Sequence, residues 1–216
     1  GNSGTKLYAV GSQNDTVFQY TLSTPYDIAT ASYDSVSFSV AAQSTTPKGV
    51  PFKSDGTSFY LSENSTDTVY QYDLGTAWDI STASYSGKSF SANAQVGDFS
   101  PVPAFSADGS VMLVPKLTND VIYQYALSTA WDISSASYAS KSLSVASQET
   151  ALNAVRLSED GLKLWAVGTT ADTIFEYDLS IANDISTATY NSVSFSVAAQ
   201  STTPRDLVFA DGDKKL

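Results

Sequence analysis

One motif recurs four times along this chain of 216 residues, and its spacing constrains the fold more than any other feature of the sequence. In each copy an aspartate opens a strand-like run, which reads DTVFQY, DTVYQY, DVIYQY or DTIFEY. These aspartates lie at intervals of 52, 53 and 52 residues: Asp15, Asp67, Asp120 and Asp172. A unit repeated at a fixed period buries its apolar face by stacking on its neighbours. The repeat therefore predicts one continuous structure.

Each unit is predicted to contain four short strands. The second unit supplies three of them: KGVPFKS at 48–54, SFYLSE at 58–63 and TVYQYDL at 68–74. The fourth strand is clearest as SVSFSV at 35–40, where apolar residues alternate with serines. This period of two indicates a strand with one buried face and one solvent-exposed face. An Asp-Gly pair, which favours a hairpin turn, ends the first strand of every unit, as at 55–56 and at 211–212.

Four antiparallel strands repeated about every 50 residues are typical of a β-propeller blade. We therefore predict an all-β, four-bladed β-propeller with four antiparallel strands per blade and a single domain over 1–216. The predicted repeats cover approximately 5–56, 57–109, 110–161 and 162–216. The final strand, in RDLVFADGDKKL, is predicted to pair with the N-terminal strand, complete the first blade and close the ring. A two-chain ring of eight blades and a fragment of a longer array are the alternatives.

The stretch TPKGVPFKSDGTSFYLSENSTDTVYQYDL at 46–74, with its three relatives, resembles the YVTN and WD40-like propeller repeats. The shared pattern is Pro-x-Gly, an apolar residue, Phe-Ser, Asp-Gly, an apolar residue and Tyr, followed by a turn and a third strand. The resemblance covers nearly the whole chain and implies a propeller, but such propellers serve many functions. The units here exceed 50 residues because STAWDISTASY lengthens the connection between the third and fourth strands.

The phrase TAWDISTASY at 76–85 returns almost unchanged at 129–138. We interpret it as a structural loop in which Trp78 and Trp131 pack against apolar neighbours. The aspartates that follow them suit Asx turns, in which the side chain bonds the backbone two residues on. These residues are the series Asp27, Asp79, Asp132 and Asp184. Calcium ligation is the alternative role, and the ring of equivalent positions argues against it because such positions lie far apart.

Composition excludes several kinds of chemistry. Histidine and cysteine are both absent, which removes Ser-His-Asp and Cys-His catalysis, disulfides and nearly all zinc sites. The net charge of −11 disfavours binding to nucleic acids and to anionic membranes. No apolar run approaches the roughly 20 residues that cross a bilayer, so no membrane insertion is expected. We predict no catalytic residues, no metal site and no cofactor, apart from a structural cation that backbone carbonyls could hold in the central channel.

A ligand site needs asymmetry, so we searched for positions where the repeats disagree. These positions are Lys48, Asp98, Phe99, Met112, Pro115, Lys116, Glu149, Arg156, Trp165 and Arg205. Lys48, Arg156 and Arg205 fall in or near first strands, which line the channel of a propeller. They are the predicted ligand-binding residues, for an anionic ligand at the channel or its mouth. Drift among duplicated units is the competing explanation.

The tyrosines offer a second site hypothesis, a platform for stacking sugars. Tyr20 and Tyr72 lie on one face of the third strand in successive units, and this repetition favours packing between blades instead.

The sequence predicts a non-catalytic recognition or structural module that binds a glycan or a protein, as a monomer or a dimer. Repeats of the TAWDISTASY type look like those in surface and virion-associated proteins of marine microbes and phages. That resemblance implies an extracellular, cell-surface or virion location. The alternative is a propeller hydrolase or lyase that acts on a carbohydrate or lactone through Asp, Glu or a bound cation.

Overall fold

The computed structural model describes residues 3–97 and 102–209, and these residues form four antiparallel sheets in chain order. Sheet 1 contains β1 (Lys6–Gly11), β2 (Thr16–Leu22) and β3 (Ala31–Ser39). Sheet 2 contains β4 (Ser58–Glu63), β5 (Thr68–Leu74) and β6 (Ala83–Ser91). Sheet 3 contains β7 (Ala104–Phe105), β8 (Val111–Lys116), β9 (Val121–Leu127) and β10 (Ala136–Ser144). Sheet 4 contains β11 (Leu152–Leu157), β12 (Lys163–Gly168), β13 (Thr173–Leu179) and β14 (Ala188–Ser196).

The Asp-Gly turns form where the sequence places them. Gly56, Gly109 and Gly161 have φ angles of 75°, 72° and 72°, a region that favours glycine. Gly56 also lies directly beneath the indole of Trp78, and a Cβ atom there would lie 2.3 Å from the ring. Trp131 covers Gly109 in the same way. The prediction that the repeated tryptophans pack against apolar neighbours is confirmed, because Trp78 stacks on Phe52 and Trp131 packs on Phe105.

The predicted second and third strands are confirmed, and the fourth strand is longer than predicted. Because it begins at Ala31 in sheet 1 and at Ala83 in sheet 2, the ASY of the repeated phrase belongs to the strand rather than to the connection. A residue in the left-handed region interrupts each of these strands: Ser35, Gly87, Ser140 and Ser192. The register of the pairing shifts nearby, as in a β-bulge.

Sheets 1 and 2 have three strands each instead of the four predicted. In sheet 2 the predicted first strand is wrong. Residues 48–54 form no regular strand, and isolated bridges join Pro47 to Glu63 and Phe52 to Phe59. Proline supplies no backbone N–H; Pro51 falls in this segment and Pro47 directly precedes it. In sheet 4 the corresponding segment contains no proline and forms the six-residue β11.

The predicted pairing of the terminal strands is not formed by the described residues. Residues 201–209 contain no assigned strand, and β1 is an edge of sheet 1. The rest of the predicted closing strand, with its Asp-Gly pair at 211–212, lies outside the described residues. Residues 204–209 instead pack against sheet 4, where Leu207 joins a cluster with Ala154 and Val167.

The core lies between consecutive sheets. Between sheets 1 and 2, Val17 and Val40 pack with Phe59, Leu61 and Tyr72. Two further clusters join sheet 2 to sheet 3 and sheet 3 to sheet 4. The prediction that the repeated tyrosines pack between units is confirmed for three copies, because Tyr72, Tyr125 and Tyr177 are at most 2% exposed.

Two hydrogen bonds repeat at every one of these three contacts. The backbone N–H of an isoleucine donates to a glutamine of the preceding sheet, at 3.0, 3.3 and 2.9 Å: Ile80 to Gln19, Ile133 to Gln71, and Ile185 to Gln124. The hydroxyl of a buried tyrosine donates to a second glutamine of the preceding sheet, at 3.0, 3.2 and 3.1 Å: Tyr72 to Gln43, Tyr125 to Gln95, and Tyr177 to Gln148. These bonds fix how each sheet sits on the next.

The predicted Asx turns form at the second series of repeated aspartates, Asp27, Asp79, Asp132 and Asp184. Each one precedes a short 3-10 helix, and its carboxylate accepts a hydrogen bond from the backbone N–H two residues on. The helices are Ile28–Thr30, Ile80–Thr82, Ile133–Ser135 and Ile185–Thr187. None of the helices within the described ranges has the length and apolar character needed to cross a membrane.

Candidate functional site

The inner edges of the sheets surround two adjoining cavities. The first has a volume of about 580 Å³ and is lined by β1, by residues 48–52 and by the segment 206–209. The second has a volume of about 440 Å³ and extends past Pro47, Asn64 and Asn153. Val10, Lys48, Val102 and Asp206 line both cavities, which makes them one continuous candidate site.

All three predicted ligand-binding residues lie at this site. Lys48 lines both cavities, Arg156 lines the first and Arg205 lines the second. Proximity does not test their role, which stays a prediction. Their convergence distinguishes them from the other positions where the repeats disagree.

Asp206 is a site residue that the sequence analysis missed. One guanidinium nitrogen of Arg156 donates to both of its carboxylate oxygens, at 2.7 and 3.0 Å, while another nitrogen donates to the Val155 carbonyl at 2.8 Å. The Arg156 side chain is largely buried, whereas that of Asp206 is 45% exposed. Desolvation raises the pKa of Asp206, and the charge of Arg156 partly offsets this rise.

The position of Asp206 in the repeat carried a signal that could have identified it. The equivalent residues are Gly49, Val102 and Ala154, so a carboxylate replaces small or apolar residues there. Only the cations in or near first strands were predicted as ligand-binding residues, and this anion was not.

Lys6 and Asn153 complete the polar lining. Lys6 lines the first cavity, but its ammonium pairs with Asp34 at 2.8 Å and donates to Thr21 at 2.7 Å, which reduces its availability to a ligand. The buried Asn153 amide donates to the Pro204 carbonyl at 3.2 Å. This bond holds the segment that carries Arg205 and Asp206 against sheet 4.

Two buried glutamates accept hydrogen bonds from loop residues and lie away from the cavities. Glu63 accepts hydrogen bonds from Ser44, Thr46 and Ser65. Burial raises the pKa of Glu63, but these hydrogen bonds outweigh it and hold the pKa at about 2. Glu149 accepts from the backbone N–H groups of Ala151, Thr170 and Ala171 at 2.8–3.2 Å. Both carboxylates are buried, and neither lines the two cavities.

The remaining departures from the repeat do not converge on the cavities. Met112 is fully buried in the core, and Trp165 packs against Phe209 with ring centroids 4.1 Å apart. Pro115 and Lys116 end β8. Asp98 and Phe99 lie outside the described residues. Within 3–97 and 102–209, no group of three or more acidic side chains is placed to hold a metal ion.

Comparison with known proteins places this geometry among β-propellers. No protein-family model matches the sequence, and a comparison with curated proteins gives no significant match. Solved structures do match. The periplasmic gluconolactonase PpgL of Pseudomonas aeruginosa is 17% identical, with 97% of this chain and 55% of that chain covered and a TM-score of 0.59.

Two further structures agree with the first. A Bacteroides fragilis protein named as a "putative 6-phosphogluconolactonase" is 15% identical, with 90% of this chain and 52% of that chain covered and a TM-score of 0.57. A Lactobacillus plantarum protein is 14% identical, with 89% and 54% covered and a TM-score of 0.58. The fold is propeller-like. At these identities the likeness shows the fold alone, and the chain spans about half the length of the structures it matches.

Proposed function

We propose that this chain is a hydrolase of sugar lactones that works in the two adjoining cavities, with Asp206 as the general base. The observation that carries the proposal is the placement of Asp206: a partly exposed carboxylate of raised pKa on cavity walls that it shares with the cations Lys48, Arg156 and Arg205. Matching propellers named as gluconolactonase and putative 6-phosphogluconolactonase support the choice of substrate class.

The cavity suits a hydroxylated ring that bears or acquires negative charge. Its volume of about 580 Å³ falls within the usual range for small-ligand sites. Lys48 and Arg205 supply positive charge in a chain whose net charge is −11. A sugar acid carries a carboxylate, and its phosphorylated form also carries a phosphate, so both match these cations.

The chemistry follows from one carboxylate and its neighbours. Asp206 takes a proton from a water molecule, which attacks the lactone carbonyl carbon. The ring C–O bond breaks, the ring oxygen takes up a proton, and the product is the open-chain acid. A general base works best when its pKa lies near the operating pH, so a raised pKa suits this role. Arg156 positions the carboxylate, and Lys48 is the candidate donor to the developing oxyanion.

Replacement of the base tests the proposal. The purified chain should accelerate proton release from gluconolactone or 6-phosphogluconolactone above the spontaneous rate in a pH-stat. Asp206→Asn should reduce that acceleration by about 100-fold or more, the usual contribution of a positioned base. Asp178→Asn is the matched control, because Asp178 pairs with Lys163 outside the cavities. A wild-type chain that gives no acceleration would contradict the proposal.

A non-catalytic recognition module at a cell or virion surface is the second candidate. Asp206 is the one carboxylate among the described residues that line the cavities. Hydrolysis of a glycosidic bond requires two carboxylates in most enzymes, so a glycan would be bound here rather than cleaved. Calorimetry with sugar acids and a glycan array distinguishes the candidates. Binding that Lys48→Ala weakens, without turnover by the wild type, favours recognition.

A further inference from the structure

Each sheet offers two faces to its neighbours. We call the face that packs on the following sheet the exit face; it is carried by the last strand. The face that packs on the preceding sheet is the entry face, which includes the 3-10 helix. Thus β3 contacts the helix of sheet 2, β6 that of sheet 3 and β10 that of sheet 4. Three exit faces and three entry faces are buried in this way.

The exit face of sheet 4 and the entry face of sheet 1 are left exposed. Ile80, Ile133 and Ile185 on the buried entry faces are 0% exposed, while the equivalent Ile28 is 73% exposed. On the exit side, Phe38 packs edge-on against Phe59 and Tyr72. Its equivalent in sheet 4, Phe195, is 63% exposed. Two apolar faces built like those of the internal contacts therefore remain uncovered.

An exact duplication in the sequence indicates what should cover these two exposed faces. The thirteen residues SVSFSVAAQSTTP occur at 35–47 and again at 192–204. The first copy supplies the exit face of sheet 1 and packs against sheet 2, where Val40 is fully buried. The second copy supplies the exit face of sheet 4. Identical residues in the same position on the same kind of strand should accept the same kind of partner, an entry face of this repeat.

The entry face of sheet 1 has the groups to be that partner. Leu7, Tyr20 and Ile28 occupy the positions of Phe59, Tyr72 and Ile80 in sheet 2. The Ile28 N–H and the Tyr20 hydroxyl, whose equivalents bond a preceding sheet, find no hydrogen-bond partner within the described ranges. On the exit side, Gln200 is exposed at the position where Gln43 accepts from Tyr72.

The segment 204–209 already begins such a contact. Phe52 stacks on Tyr8 of the preceding sheet at 4.2 Å, and Phe105 packs on Tyr60 at 4.4 Å. Phe209 holds the equivalent position, 4.1 Å from Trp165. The segment therefore lies against sheet 4 as the inner segment of a further unit, whose outer strands are not among the described residues.

We propose that a second copy of this chain supplies these outer strands. The exit face of sheet 4 in each copy packs on the entry face of sheet 1 in the other copy, and the two contacts close a two-chain ring. Two copies provide eight sheets, within the usual range of four to eight units in propellers. The half-length match to longer propellers agrees with this count. The proposal does not depend on the lactone chemistry.

Variants at the exposed faces test the contact. By sedimentation, the wild type should have twice the chain mass of 22.9 kDa. Ile28→Asp and Phe195→Asp should each have the mass of a single chain and remain folded, because both side chains are exposed in one copy. Ile181→Asp is the matched control: Ile181 is 58% exposed, and its equivalents Thr24, Thr76 and Thr129 are also exposed. A wild type that sediments as a single chain would overturn the proposal.

Mixing the variants separates this arrangement from others. A dimer of one Ile28→Asp chain and one Phe195→Asp chain keeps one undamaged contact of its two. The mixture should therefore recover more dimer than either variant alone. A contact between identical patches would show no recovery, which would also count against the proposed arrangement.

Cross-linking distinguishes a two-chain ring from closure within one chain. The chain has no cysteine, so introduced thiols react without background. An Ile28→Cys chain mixed with a Phe195→Cys chain should give a two-chain adduct with a short bismaleimide. Closure within one chain would instead link the two thiols of the Ile28→Cys/Phe195→Cys double variant, and the product would keep the mass of a single chain. The mixed single variants would then give no two-chain adduct. That result would overturn the proposal.

Discussion

At the scale of single residues, the buried carboxylate of Glu63 is tied to several hydrogen-bond donors. It is 2% exposed and joins three loop residues, Ser44, Thr46 and Ser65. Its pKa is held at about 2, below the ordinary value of 4.5. A carboxylate with a lowered pKa in the folded state contributes stability above its unfolded pKa and loses it as the pH falls through the folded value.

Glu63→Gln tests that contribution. Because an amide cannot accept all the hydrogen bonds that Glu63 accepts, we expect the free energy of unfolding at pH 7 to fall by roughly 1–3 kcal/mol. The loss of stability between about pH 4.5 and pH 2 should become shallower in the variant, since one titrating group is removed. Urea titrations at several pH values measure both effects. Equal pH dependence in wild type and variant would contradict this role.

Single-residue function was only partly predictable from the sequence. Lys48, Arg156 and Arg205 could be selected because a cation in an acidic repeat protein departs from its equivalents, and all three line the cavities. Asp206 could not be recognised as a partner of Arg156, because the two are 50 positions apart and meet only when the segment 204–209 packs on sheet 4.

At the scale of elements, two of the 3-10 helices are linked to the preceding sheet through their capping aspartates, Asp132 and Asp184. Asp132 accepts from the backbone N–H of Ser134 at 3.0 Å and pairs with Lys88 of the preceding sheet at 2.9 Å. The hydrogen bond from Ser134 and the ion pair with Lys88 both lower the pKa of Asp132. The same carboxylate therefore shapes a turn and contacts another unit.

Asp132→Ala and Lys88→Ala separate these two roles. Loss of the cap should lower the free energy of unfolding by about 1–2 kcal/mol. Loss of the partly exposed ion pair alone should cost less than about 1 kcal/mol, because solvent screens it. Chemical denaturation of both single variants and of the double variant gives the coupling. A larger effect for Lys88→Ala than for Asp132→Ala would contradict the assignment.

The elements themselves show where pattern reasoning succeeds. The apolar residues of TVYQYDL predicted β5, in which Val69, Tyr72 and Leu74 are buried. The segment predicted as the first strand of sheet 2 did not follow its apolar pattern. Pro47 and Pro51 remove backbone donors from 47–54, so an apolar pattern there gave isolated bridges and no ladder. The bulge at Ser35 was not predictable, because serine rarely adopts a φ of 59° without support from the surrounding sheet.

At the scale of the whole molecule, net charge should control the association of two copies. Each chain carries −11, so two chains repel one another. The contact faces are apolar, and salt shortens the screening length from about 30 Å at 0.01 M to about 8 Å at 0.15 M. We therefore expect the dimer dissociation constant to fall several-fold over this range, measured by sedimentation velocity.

The matched control is Ile28→Asp, which should remain a single chain at both salt concentrations. Association that weakens as salt is added would indicate a contact dominated by opposite charges, contrary to the apolar faces described above.

The whole-molecule arrangement was the least predictable part. The period of 52 or 53 residues predicted four similar units, and the four sheets agree with it. Closure within one chain depends on the angle between successive sheets. That angle is set by contacts such as Tyr72 with Gln43 rather than by any local pattern. The sequence therefore predicted the unit but not the number of units in a ring.

The two identical thirteen-residue stretches also affect how such a gene can change over generations. Unequal recombination between the coding sequences of 35–47 and 192–204 would delete or add three units at once. The new junction would keep these thirteen residues, so the sheet that follows it would meet the same stretch that it meets in the ancestor. Unit number can thus evolve by whole steps without the need to invent a new interface.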